Sequence, residues 1–342
     1  PLLTACDDLF EPALENNRDL EAMYKEPSYA QGILANAYII LPYETSPTSD
    51  LATDDAVTNE ISSNYLRMAT GSWTANNNPV SQWQNPFNAI QYLNLFLENV
   101  DKVEWAKDER ISTMFLDRLK GEAYGLRALH MYYLLRAHGG KIADGTLMGV
   151  PIILKSEGPD ADFNHARATY SDCVKQIMED ADKAIELLPL DYKKFADSEI
   201  PEKYKNIGVT NASDYRRVCG EEYRGLMSGR IALAVRAQTA LLAASPAFQS
   251  GSGMTWEQAA DYAAEIIEKA NGGGGCGLDA DGLEWYTLAD KDYGTGGSPA
   301  EVIWRSSTDD NNTLETANFP PSLYGNGRVN PTQNLVDAFP MA

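Results

Sequence analysis

Basic residues are scarce in this chain. Its 28 Lys and Arg stand against 49 Asp and Glu, for a formal charge of −21. That deficit excludes a nucleic-acid partner, whose phosphates need cationic side chains, and equally excludes charge-driven binding to anionic lipid. Histidine is scarcer still, with three residues, and the four cysteines contain no Cys-x-x-Cys pair. A zinc site is therefore not expected, and neither another metal nor a cofactor is called for. No apolar run reaches membrane-spanning length. The run Gly272-Gly273-Gly274-Gly275 is followed by no Gly-Lys-Ser/Thr, so it is not a phosphate loop. No Gly-x-Ser-x-Gly elbow appears either.

What is present suits a globular chain. The 342 residues are 44% hydrophobic and 23% charged, enough for one large domain or two smaller ones. Tyrosine is abundant, with 18 residues, and there are six tryptophans. A Tyr-rich acidic chain fits neutral polar ligands, although Tyr also serves ordinary cores.

Helical periodicity dominates. Apolar stripes predict helices over 28–41, 81–103, 110–138, 169–188, 226–244 and 255–270. The third is apolar nearly all round after Tyr124, which marks a central buried helix. Thr169-Tyr170-Ser171-Asp172 and Thr255-Trp256-Glu257-Gln258 read as capping boxes. Trp83 keeps helical spacing with Phe87 and Ile90 and is expected in the core. Cys173 and His130 are expected there too, His130 with one hydrogen bond. Cys219 and Cys276 fall in loop-like contexts, where pairing or its absence stays open. Strand-like pieces are few, at 150–154 and 301–306. The fold expected is dominated by α-helix: degenerate tetratricopeptide-type pairs, long loops and a few short strands.

Several ordered motifs resemble the SusD/RagB family of outer-membrane nutrient-binding lipoproteins. One is Arg118-Leu119-Lys120-Gly121-Glu122-Ala123-Tyr124-Gly125-Leu126-Arg127-Ala128 with Tyr132-Tyr133-Leu134-Leu135. Others are Gly139-Gly140, Gly149-Val150-Pro151-Ile152 and Arg167-Ala168-Thr169-Tyr170, the last leading to Leu188-Pro189. The later ones are Glu301-Val302-Ile303-Trp304 and Asn330-Pro331-Thr332-Gln333-Asn334-Leu335-Val336-Asp337-Ala338-Phe339. Leu3-Thr4-Ala5-Cys6 reads as the end of a bacterial lipoprotein signal, with Asp7-Asp8 behind it as in surface-displayed lipoproteins of Bacteroidota. Residues 1–5 are then a signal tail, Cys6 is the lipidated residue, and 6–342 is the helical-repeat domain. The family's chain continues past the segment resembling 330–339, so a C-terminal portion is expected to be missing here.

The resemblance implies a binding protein of the outer cell surface rather than an enzyme. It would capture oligosaccharide and pass it to a SusC-like TonB-dependent transporter, held to the membrane by lipid at Cys6. Peptide or glycoprotein capture by the same fold is one alternative, and a helical glycoside hydrolase is another. Sugars need rings for their C–H faces and amides or carboxylates for their hydroxyls. Gly71-Ser72-Trp73-Thr74-Ala75-Asn76-Asn77-Asn78 supplies both, where the family places a ligand-contacting loop. Trp73, Asn77 and Asn78 are candidates there, against the alternative of a solvated turn with its Trp tucked inward. Trp285 and Tyr286 form a second cluster, with Tyr293 nearby but expected to pack. Phe319, Tyr324, Asn326 and Arg328 form a third, with Tyr324 the preferred platform. Trp304 and Trp256 are expected to be structural. The acidic pairs Asp54-Asp55, Glu221-Glu222 and Asp309-Asp310 keep the hydrolase reading open. Adjacent side chains point apart, however, and glycoside hydrolysis needs carboxyls about 5–10 Å apart across a cleft. Asp309-Asp310-Asn311-Asn312 lacks EF-hand spacing.

Overall fold

The computed structural model describes residues 24–43, 49–74, 76–270, 302–305 and 311–340. Six long helices carry it: α1 (Pro27–Ile39), α3 (Gln84–Asn99), α4 (Glu109–His138), α5 (Tyr170–Leu187), α8 (Gly229–Ala244) and α10 (Trp256–Ala270). Short helices interrupt them: α2 (Asn64–Ala69), α6 (Glu202–Lys205), α7 (Ala212–Cys219) and α9 (Gln249–Ser252). Two more close the chain, α11 (Thr313–Asn318) and α12 (Gln333–Ala338). The long helices pack in chain order, each against the next, as stacked helical repeats do. Their starts follow the sequence signals. Thr169 Oγ1 accepts the Asp172 N–H at 3.1 Å. Thr255 and Gln258 form a reciprocal box at 3.2 and 3.0 Å.

Helix α4 is the axis. Leu126, Leu129, Met131 and Leu134 are wholly buried, each contributing roughly 1.5–3 kcal/mol by leaving water. A β-carbon on Gly121 would lie 2.7 Å from Leu188 Cγ, and one on Gly125 would lie 2.6 Å from Met227 Cγ. The two glycines thus let neighbouring chain approach α4 closely. Two buried polar clusters cross the core. Arg127 makes a fork to Asp180 at 2.7 and 2.8 Å and donates to Asn94 Oδ1 at 2.9 Å. Asn94 in turn donates to the carbonyls of Ile153 and Lys155 at 3.0 and 3.1 Å. One network therefore ties α3, α4, α5 and the segment 150–155. One turn away, the Tyr38 hydroxyl donates to Glu122 Oε2 at 2.7 Å and accepts the Met227 N–H at 2.9 Å.

Three expectations are corrected. Residues 150–154 are extended but form no strand, because side chains and an adjoining loop take their hydrogen bonds: Asn94 those of 153 and 155, and the Ala168 N–H that of Val150 at 3.2 Å. The local ladder is instead β2 (Gly140–Lys141) against β3 (Leu147–Met148). Residues 302–305 also form no strand, and Trp304 Nε1–H donates to the Gly225 carbonyl at 2.8 Å. Cys219 does not lie in a loop. It ends α7 as a buried free thiol, its pKa pushed up to about 12 by burial, and Cys276 lies outside the described residues. Cys173 is buried as expected.

His130 is wholly buried, and Nε2–H donates to the Ala37 carbonyl at 3.1 Å. Burial lowers its pKa from 6.5 to about 4. The folded state therefore keeps it neutral where the unfolded chain binds a proton. Stability should fall as pH drops from 6.5 to about 4, by about 3 kcal/mol from this group, and should not change on its account above 6.5. Urea titrations across that range should show the slope, and His130→Asn should flatten it. An unchanged slope in the variant would remove His130 as the cause.

Candidate functional site

The first long interruption and the last described segment meet although far apart in sequence. Strand β1 (Ala56–Thr58) pairs antiparallel with β4 (Val329–Pro331), in the register Ala56↔Pro331, Val57↔Asn330 and Thr58↔Val329. Short alternating stretches of this kind gain stability only by pairing, and the ladder is extended by one side-chain and one backbone hydrogen bond. Asn59 Nδ2–H donates to the Gly327 carbonyl at 3.1 Å, and the Thr332 N–H donates to the Asp55 carbonyl at 2.9 Å. Helix α2 packs on β1, and α11 packs on β4. The backbone of 326–328 is stitched back to 316–319 by three N–H donors, Asn326 to Thr316, Gly327 to Phe319 and Arg328 to Ala317, at 2.6–2.9 Å.

Between these segments lies a groove of about 590 Å³. Thr58, Ser62, Ser63, Asn312, Thr313, Thr316 and Asn326 offer it hydroxyls and amides. The two charges among its described lining residues are Glu60 and Arg328, which face each other at 3.3 Å. Such a lining suits a ligand rich in hydroxyls. Among the described residues it holds one carboxylate, whereas glycoside hydrolysis requires a pair. Glu221 and Glu222, one of the sequential pairs, lie exposed on a single 3-10 turn. No group of three His, Cys, Asp or Glu that could hold a metal occurs among the described residues.

Neither of the described aromatic candidates, Tyr324 and Trp73, lines the groove. Tyr324 is 97% exposed, at the tip of the turn before β4. It is the only non-glycine residue with positive φ among those described, at 64°. A left-handed tyrosine costs roughly 1–2 kcal/mol, and residues held so cluster at functional sites. The next residue must be glycine, because a β-carbon on Gly325 would lie 1.9 Å from the Phe319 carbonyl oxygen. Trp73 is 51% exposed, in the loop that leaves α2. Thr74 and Asn77 form a bridge there, with the Asn77 N–H donating to Thr74 at 3.0 Å. Asn77 is exposed, while Asn78 Oδ1 already accepts the Val80 N–H at 3.0 Å. Trp285, Tyr286, Tyr293 and Cys6 lie outside the described residues, as do Asp309 and Asp310.

Trp83 is corrected. It caps α3 rather than filling the core, 43% exposed, with its ring edge-on to Phe87 and His138 at 5.0 and 5.2 Å. Trp256 is likewise about half exposed. Sequence reasoning marked Asn326 and Arg328 but not Thr58, Glu60, Ser62 or Ser63. The run Glu60-Ile61-Ser62-Ser63 carries only a generic polar signal, and its partner strand lies some 270 residues away. A further ring cluster also escaped notice. Tyr43 meets Tyr133 and Trp304 edge-on at 5.6 and 5.8 Å, and Arg136 lies over Tyr133 at 4.4 Å.

Comparison with known proteins gives one clear family match. A family model named SusD-like, described as starch-binding and associating with the outer membrane, matches residues 14–203. No curated protein matches the chain. Among solved structures, a SusD-like protein from Bacteroides fragilis aligns at TM-score 0.61 and 18% identity, over 97% of this chain and 56% of its own. A laminarin-binding SusD-like protein aligns at 0.52 and 19%, over 79% and 50%. A SusD-like carbohydrate-binding protein from Bacteroides vulgatus aligns at 0.50 and 18%, over 72% and 45%. At these identities the likeness concerns the fold. The chain spans about half the length of these structures.

Proposed function

This chain belongs to the SusD-like family of starch-binding proteins that associate with the outer membrane, and on that premise we propose that it captures oligosaccharides at the cell surface and delivers them to a TonB-dependent transporter. Lipid on Cys6 is the anchor, and no helix among the described residues is long and apolar enough to cross a membrane. The ligand is a glycan, bound and not cut. Trp73, Tyr324 and the loop carrying Trp285 and Tyr286 supply stacking faces, and Asn77 and Asn78 take hydroxyls. The observation that carries the reading beyond family membership is the groove between β1 and β4. Its hydroxyls and amides match the chemistry of sugars, and the one carboxylate among its described lining residues does not suit cleavage.

Anchor and partner are tested together. The precursor, expressed in a suitable host, should place the protein within reach of external protease and co-purify a TonB-dependent transporter. Cys6→Ala should release it in soluble form. A precursor that stays soluble with Cys6 unmodified contradicts the surface role.

A further inference from the structure

We infer that Glu60 sets the charge selectivity of the groove: it holds Arg328, keeps out sugars that carry a carboxylate, and leaves neutral polyhydroxyl chains as the substrate class. The inference rests on the glycan-capture reading of this same groove.

Glu60 stands two residues past β1, and Arg328 stands immediately before β4. The pairing of Thr58 with Val329 therefore brings the two to the same end of the ladder. Arg328 Nη1 lies 3.3 Å from Glu60 Oε1, and the side chains are 45% and 43% exposed. The Ser62 hydroxyl donates to the same Oε1 at 3.2 Å, so the carboxylate is held from two sides. Every other described residue lining the groove is uncharged.

Among the described residues lining the groove, Arg328 is thus the cation a ligand carboxylate would seek, and a guanidinium prefers a two-pronged contact with carboxylate. To make it, the ligand's carboxylate must lie beside that of Glu60. Like charges so placed repel, and the formal charge of −21 on the whole chain adds to the repulsion. A neutral sugar meets no such barrier. Each hydroxyl donates and accepts, so adjacent hydroxyls can donate to Glu60 while accepting from Arg328. The ion pair becomes a recognition element for diols.

The test is calorimetry with a neutral hexasaccharide panel (α-glucan, β-1,3-glucan, β-1,4-glucan, mannan) and hexagalacturonate, on the full chain and two variants. Wild type should bind at least one neutral hexasaccharide and take hexagalacturonate roughly tenfold more weakly or worse. Glu60→Gln, a near-isosteric change at a half-exposed site, should raise the ratio of acidic to neutral affinity by about tenfold, and salt should screen the gain. Arg328→Gln should not show that rise. Thermal melts confirm that both variants are folded. Equal affinity of wild type for acidic and neutral ligands overturns the inference, and so does an unchanged ratio in Glu60→Gln. Failure of the underlying reading looks different: no neutral hexasaccharide binds wild type, which overturns the inference with it.

Discussion

Asp180→Ala is expected to cost about 3–5 kcal/mol of folding stability, because it strands the guanidinium of Arg127 inside the helical stack. Asp180 is wholly buried and Arg127 nearly so. Their two-pronged contact and the Asn94 link leave neither charge facing water. The whole effect comes from the uncompensated partner, not from the worth of the pair. Arg127→Met combined with Asp180→Leu should therefore recover most of the loss. Urea denaturation of the single and double variants measures this. A single-variant loss below about 1 kcal/mol, within the range of an exposed pair, would show that the network does not brace the scaffold.

The second large effect concerns ligand. Trp73→Ala and Tyr324→Ala should each weaken glycan binding by about 2 kcal/mol or more, a loss of tens-fold. Neither should lower the thermal midpoint appreciably, since the rings are 51% and 97% exposed. Tyr324 also sits in a left-handed conformation that favours glycine, so Tyr324→Gly should hold the turn at least as well while removing the ring. Equal binding by Tyr324→Gly and wild type would remove the ring from the site.

The six long helices were legible because an apolar stripe of period 3.6 persists over several turns and two are opened by capping boxes. The buried state of His130 followed from the same pattern. Trp83 shows the limit of that signal. Spacing with Phe87 and Ile90 is the same whether a residue lies within a helix or just ahead of it. Its position at the cap turned the ring to the end of α4, beside His138. Residues 150–154 looked like a strand because they are apolar, but their hydrogen bonds go to Asn94 and the 168 loop. The groove itself could not be read. It exists only because 56–58 pair with 329–331, and strands of three residues leave little periodicity to detect. Asn326 and Arg328 were marked by their chemistry, whereas Glu60 gained meaning only from the residue placed opposite it.

Titration of the neutral hexasaccharide panel into the full chain, with reducing ends counted in the same samples, tests the central claim most directly. At least one neutral glycan should give a saturable isotherm that Trp73→Ala and Tyr324→Gly each weaken tens-fold, while reducing ends stay at the level of a heat-killed control. New reducing ends abolished by a single carboxylate substitution, or the absence of a saturable isotherm with every glycan, would contradict it.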